Sequence, residues 1–172
     1  EIMEFLRFLS WRAKMHTKFR YETIKKFDQK HIISAHCATP SIIPMKRPFE
    51  QVLCRGNDWE HASLLDAFGS SHFPVWESFD SAIYGMRVES VNSAANASGK
   101  EMWISELQGG SGRKGINIEL PVPAEEQQSW IWSGIARGAK GITFWCWRDD
   151  VFGRESNGLG FIGDDGFKEE RL

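Results

Sequence analysis

Hydrophobic positions along the chain fall into two patterns, helical spacing and short continuous runs. Over residues 1–27, Ile2, Phe5, Leu6, Leu9 and Ala13 recur at helical spacing, and Ile24 and Phe27 resume it. That pattern predicts a long amphipathic helix, left through the turn Asp28-Gln29-Lys30. Short apolar runs follow. They predict strands over 32–37, over 64–68 with Gly69-Ser70-Ser71 as its end, over 101–108 closed by Gly109-Gly110, and over 141–147. Between them lie a Pro-containing loop over 38–57 and a helix over 77–95 on a partial stripe of Phe79, Ile83, Met86 and Val91. A second loop over 109–123 leads into a helix over 124–138. Pro123, Glu125 and Glu126 are start signals for that helix, and Gly134 and Gly138 would let it sit close against a sheet. The tail to Leu172, rich in Gly and Asp, reads as loop.

Helices alternating with short apolar strands predict an α/β fold with a parallel sheet. Four strands with their helices amount to half of a (β/α)8 TIM barrel, which typically takes about 250 residues. An open doubly wound sheet is the alternative, but the glycine fingerprint of nucleotide-binding sheets is absent.

Composition narrows the partners. The chain has 172 residues, of which 41% are hydrophobic and 26% charged, enough for one domain with a sizeable core. Its eight Trp and twelve Phe serve cores and sugar sites alike, so their number decides nothing. A net charge of −2 offers no basic field for nucleic acid. The first helix is basic, as membrane-surface and calmodulin-target helices are. We read it as the solvated face of a barrel helix because strands follow at barrel spacing. No apolar run is long enough to span a membrane. Cys37, Cys54 and Cys146 are an odd set at wide spacing, which favours a reduced compartment, the cytoplasm, over a disulfide scaffold. The chain opens at Glu1 inside a helix, which suggests a piece of something longer.

Candidate chemistry is sparse. Gly109-Gly110-Ser111-Gly112-Arg113-Lys114-Gly115 superficially resembles a phosphate loop, but Ile116 stands where its Lys belongs. His31, His36, Cys37, Cys54, His61 and His72 show no metal-ligand spacing, so no metal and no cofactor is expected. No Gly-x-Ser-x-Gly elbow exists. What remains is a set of carboxylates near predicted strand ends, Asp66, Glu106, Asp149 and Asp150, with Glu155 in the following loop. Phe68, Trp103, Trp145 and Trp147 accompany them. Carboxylates with aromatic walls at one mouth of a parallel barrel suit glycoside hydrolysis. Glu106 stands out because a charge in an apolar strand is costly unless it is paired or used. The plainer reading is an exposed or ion-paired acid at a strand end.

Longer stretches carry a family resemblance. Trp103-Ile104-Ser105-Glu106-Leu107-Gln108-Gly109-Gly110, Trp130-Ile131-Trp132, Ala136-Arg137-Gly138-Ala139-Lys140-Gly141 and Phe144-Trp145-Cys146-Trp147-Arg148 resemble the second half of the catalytic barrel of glycoside hydrolase family 42. Residues 5–12, Asp58-Trp59, Asp66-Ala67-Phe68-Gly69 and Ser71 agree with its fourth helix and sixth-strand region. The resemblance implies a β-galactosidase domain spanning 1–172 that holds barrel strands five to eight, with strands one to four and the downstream domains outside this chain. It implies Glu106 as the nucleophile of a retaining mechanism, Trp145 as an aromatic wall, Glu155 as a ligand of galactose hydroxyls and Phe68 near a sugar-facing aromatic. The family's acid/base glutamate sits in an Asn-Glu pair at the end of strand four, and this chain has no such pair. The isolated piece is therefore expected to be inactive, with open sheet edges that invite aggregation. The implied partners are galactosides, with the full-length protein a homotrimer. The alternatives are a related barrel glycosidase for another sugar, or a non-catalytic carbohydrate-binding relic.

Overall fold

The structure is a computed structural model that describes residues 1–41, 56–78, 80–111, 113–114, 117–118, 122–153 and 158–162. The first helix, α1 (Ile2–Phe27), leads into β1 (Ser34–Cys37). The short helix α2 (Asp58–Ala62) precedes β2 (Ala67–His72), and a four-residue helix α3 (Pro74–Glu77) precedes α4 (Ser81–Asn96). After β3 (Glu101–Gln108) come two-residue strands, β4 (Arg113–Lys114) and β5 (Asn117–Ile118), paired antiparallel. Helix α5 (Ala124–Ala136) and strand β6 (Ala139–Trp145) complete the set. Side-chain caps begin two of the helices: Asn57 accepts from the Trp59 amide, and Asp80 from the Ile83 amide.

The sheet order is β1-β2-β3-β6, every pair parallel. Each crossover steps to the next strand in the same direction. Right-handed connections of that kind put all the connecting helices on one face, as in a barrel. A doubly wound sheet would reverse its order at a switch point, and none is present among the described strands. On the helix-facing side Tyr84, Val88, Val91, Ala94 and Ala95 of α4 join Phe68, Met102, Ile104 and Leu107 in one core. Ile104 lies against Gly134 of α5, where a Cβ would collide with its Cδ1, so the small residue does admit the helix to close range. The other face carries His36, Gly69, Trp103 and Gly141, which lie in register across the four strands. No described strand pairs with the outer edge of β1 or of β6.

Helix α1 has the predicted length, but none of its residues is buried, and Phe5, Phe8, Trp11, Phe19 and Phe27 are exposed. No described helix is long and apolar enough to cross a membrane.

Strand β2 departs from expectation. Residues 64–66 form the turn before it, and Gly69-Ser70-Ser71 lie inside it, all buried. Asp66 thus sits at the N-terminal end of the sheet, remote from any mouth at the strands' C-terminal ends. There it accepts hydrogen bonds from Tyr21 Oη (2.8 Å) and the Ile33 amide (2.9 Å) and pairs with Lys25 Nζ at 2.8 Å. Burial works against its charge, but Lys25, the Ile33 N–H and Tyr21 outweigh burial and hold the carboxyl at about 2. Its role is to tie α1 to β1 and β2. A carboxyl depressed in the folded state adds stability above its ordinary value, and that stability drains away as pH falls through about 2. Asp66→Asn is therefore expected to cost about 1 kcal/mol at neutral pH. In denaturant titrations the gap from the parent should close as pH drops from about 4 to 2.

Candidate active site

The mouth of the sheet is shaped by an irregularity in β3. Across to β2, Ser70 pairs with Ile104 but Ser71 with Glu106; across to β6, Ile142 pairs with Ile104 and Phe144 with Leu107. One extra residue is accommodated at Ser105-Glu106, so two successive side chains turn to the inner face. The Ser105 hydroxyl lies over Gly69, while the Glu106 carboxylate meets Ser71, two residues further along β2. This is what brings a charged side chain out of an apolar strand near its C-terminal end.

Glu106 is well held. Ser71 Oγ donates to Oε2 at 2.7 Å, and His36 Nε2 of β1 stands 3.7 Å from Oε1. The Glu106 side chain keeps about 30% exposure. It opens into a cleft of ≈ 200 Å³ lined also by Phe73, Trp76 and Trp145. Phe73 and Trp76 meet edge to face with ring centres 5.3 Å apart. Trp145 ends β6 and lies opposite Gln108 of β3. Gln108 is fully buried; its Oε1 accepts from the Val75 and Trp76 amides at 3.1 and 3.2 Å, and its Nε2 donates to the Gly110 carbonyl at 2.8 Å. It fixes α3, and with it the Trp76 ring, to the end of β3. A carboxylate hydrogen-bonded by a serine hydroxyl and walled by aromatic faces has the elements of a sugar site: an anion for a developing positive centre and ring faces for stacking.

Of the sequence-predicted residues, the structure brings Glu106 and Trp145 together. Phe68 is a correction. In β2, Ser70 and His72 lie on the helix side, where Ser70 Oγ meets His72 Nε2 at 2.6 Å and the His72 ring meets Tyr84 of α4. Phe68 shares that side and is 2% exposed within the core, so it is absent from the mouth. It faces a separate hollow of ≈ 310 Å³ bordered by α1, α2 and the edge of β1. Glu155 lies outside the described residues. Asp149 is structural: its oxygens accept from the Gly158 and Gly160 amides at 2.9 and 2.6 Å, closing the loop after β6. Asp150 is exposed. His72 is no proton donor to the site, because burial, then the Arg87 charge, push it down to about 3 and leave it neutral. The sequence offers His36 only as a histidine without metal-ligand spacing and Ser71 only as part of the family resemblance, and Phe73 and Trp76 carry no sequence signal for the site. Among the described residues no cluster of His, Cys, Asp and Glu fits a metal ion.

Parallel strands in unbroken order, with helices on one face and a carboxylate among aromatic rings at the C-terminal mouth, define part of a (β/α)8 glycosidase barrel. Comparison with known proteins agrees. The β-galactosidase family, glycoside hydrolase family 42, matches residues 1–172, and the chain belongs to it. Among solved structures it is similar to a β-galactosidase from the haloarchaeon Halorubrum lacusprofundi, with TM-score 0.77 and 16% identity over 96% of this chain and 25% of that one. It is similar also to a β-galactosidase from the psychrophilic Marinomonas ef1, with TM-score 0.74 and 13% identity over 94% of this chain and 25% of that one. A glycoside hydrolase family 17 β-1,3-glucanosyltransferase from Rhizomucor miehei matches at TM-score 0.60 and 16% identity, over 92% of this chain and 57% of that one. The chain thus spans a quarter of the length of either β-galactosidase. Comparison with curated protein sequences gives no match.

Proposed function

We propose that the chain is the nucleophile-bearing half of the barrel of a retaining β-galactosidase. The supporting observation is the position of Glu106, on a strand bulge at the C-terminal mouth, hydrogen-bonded by Ser71 and facing Phe73, Trp76 and Trp145. In this reading strands β1, β2, β3 and β6 are barrel strands five to eight. Strands one to four close the inner face and pair with the open edges of β1 and β6. The strand that pairs with β1 is then strand four, which brings the acid/base glutamate across the mouth from Glu106. Retention needs the two carboxyl groups about 5–5.5 Å apart.

The steps follow. A Glu106 oxygen attacks the anomeric carbon, and the bond from that carbon to the leaving oxygen breaks as the partner acid gives that oxygen its proton. The glycosyl ester on Glu106 is then opened by water. The partner takes the water's proton, and Glu106 leaves as carboxylate, regenerated for the next turnover. Trp145 and the Phe73–Trp76 pair stack on the sugar. Glu155, after β6, holds galactose hydroxyls. We place the full-length enzyme in the cytoplasm as a homotrimer, on the family resemblance and the reduced-compartment reading of the cysteines.

The similarity to a glucanosyltransferase barrel supplies the second reading, a related retaining glycosidase for another sugar. A panel of nitrophenyl glycosides, given to the full-length enzyme, separates the two. The β-galactoside is expected to exceed the β-glucoside and β-mannoside by at least about tenfold in kcat/KM, the scale of one well-made hydrogen bond to a substrate hydroxyl. A preferred glucoside or mannoside would replace the galactosidase reading.

A further inference from the structure

We propose that Arg87, on the helix side of the sheet, is a positioning residue that sets the Ser71 hydroxyl against Glu106. The inference rests on Glu106 being the nucleophile.

Arg87 is only 2% exposed. A guanidinium in such a place is costly unless its donors are met, and an aliphatic side chain would fill the same space more cheaply. Its two Nη groups donate to the backbone and to a carboxylate at the mouth. Nη2 donates to the Ser71 carbonyl at 3.2 Å and to the Ala38 carbonyl, just past β1, at 3.3 Å. Nη1 donates to Glu77 Oε2, at the end of α3, at 2.9 Å. Burial raises the Glu77 carboxyl and Arg87 opposes that rise. One side chain of α4 therefore joins the C-terminal ends of two strands to the helix that carries Trp76.

Ser71 is where such a tie is needed. The register of β2 against β3 slips between Ser70 and Ser71, so the regular ladder is interrupted at the residue whose hydroxyl reaches Glu106. Arg87 holds the backbone of Ser71 from behind, and Ser71 Oγ then donates 2.7 Å to Glu106 Oε2 on the inner face. The flat guanidinium reaches two carbonyls and a carboxylate at once, which a lysine ammonium on its flexible stem does not reproduce.

The test is a double-mutant cycle in the full-length enzyme, read with an aryl β-galactoside. Ser71→Ala is expected to lower kcat about tenfold, with KM within about twofold, because one hydrogen bond to a charged group is lost. Arg87→Met is expected to lower kcat by a similar factor, and the double variant to fall no further than the worse single one. Ser71→Thr, which keeps the hydroxyl, should restore most of the loss. Where Arg87→Met does not fold, Arg87→Lys takes its place in the cycle. Losses that multiply to about a hundredfold would overturn the proposal. So would an Arg87 variant that melts lower yet keeps its kcat, or one that raises KM alone. A Glu106→Gln enzyme that stays active removes the nucleophile reading itself. With that variant inactive and the cycle additive, only the positioning role falls.

Discussion

Glu106→Gln in the full-length enzyme is expected to lower kcat on an aryl β-galactoside by at least about a thousandfold, the scale of losing a covalent nucleophile. The amide has the volume of the acid and still accepts from Ser71, so the melting temperature should barely move. The ring faces of Trp145, Phe73 and Trp76 that line the cleft are untouched, so KM should stay near the parent value. Glu106→Asp sharpens the point. It keeps the charge but draws it back by one methylene, and a displacement of about 1 Å costs on the order of a hundredfold in rate. A carboxylate that served only to anchor the end of β3 would give the opposite pattern, with lowered stability and kcat within a few-fold of the parent.

Gly69→Ala is expected to destabilise the chain by about 3 kcal/mol, at the upper end of overpacking costs. A Cβ at this position would collide with the Trp103 carbonyl oxygen and the Ser105 hydroxyl, and would approach the Trp103 carbonyl carbon at 3.1 Å. The carbonyl is backbone in the neighbouring strand and cannot rotate aside, so β2 and β3 must separate. Ser71 and Glu106 lie just beyond that point in the same pair of strands, so activity should fall together with stability. Thermal melting with activity measured on the soluble fraction checks both. Unchanged melting would mean that the strands are not in such close contact at Gly69.

That glycine also shows where the sequence stops being legible. α1 and α5 are readable because their apolar positions recur at helical spacing, and β1, β3 and β6 because their apolar residues form short runs. β2 is not, because Gly69-Ser70-Ser71-His72 looks like a loop. These residues are buried for reasons the apolar pattern does not carry: a close approach to the neighbouring strand at Gly69, the Ser71–Glu106 hydrogen bond across to that strand, and the Ser70–His72 hydrogen bond along β2 itself. Leu64 and Leu65 supplied the apolar run that displaced the predicted strand, though they pack from the turn ahead of it. The shift put Asp66 near the wrong end and made Phe68 look like a mouth residue when it is core. In the site, Glu106 and Trp145 are visible as a charge in an apolar strand and as an aromatic in the family pattern. Phe73 and Trp76 are not, because the sequence pattern ends the strand before them at Gly69 whereas β2 runs on to His72. The bulge that turns Glu106 inward has no local sequence signal, since it is defined by the register of both neighbouring strands.

The most direct measurement treats the full-length enzyme with an activated 2-deoxy-2-fluoro-β-galactoside, whose glycosyl ester is slow to hydrolyse, and maps the labelled peptide by mass spectrometry. A retaining nucleophile at this position predicts one sugar per active site, attached to Glu106. A sugar on any other carboxylate, or turnover that yields the inverted anomer without a label, would contradict it.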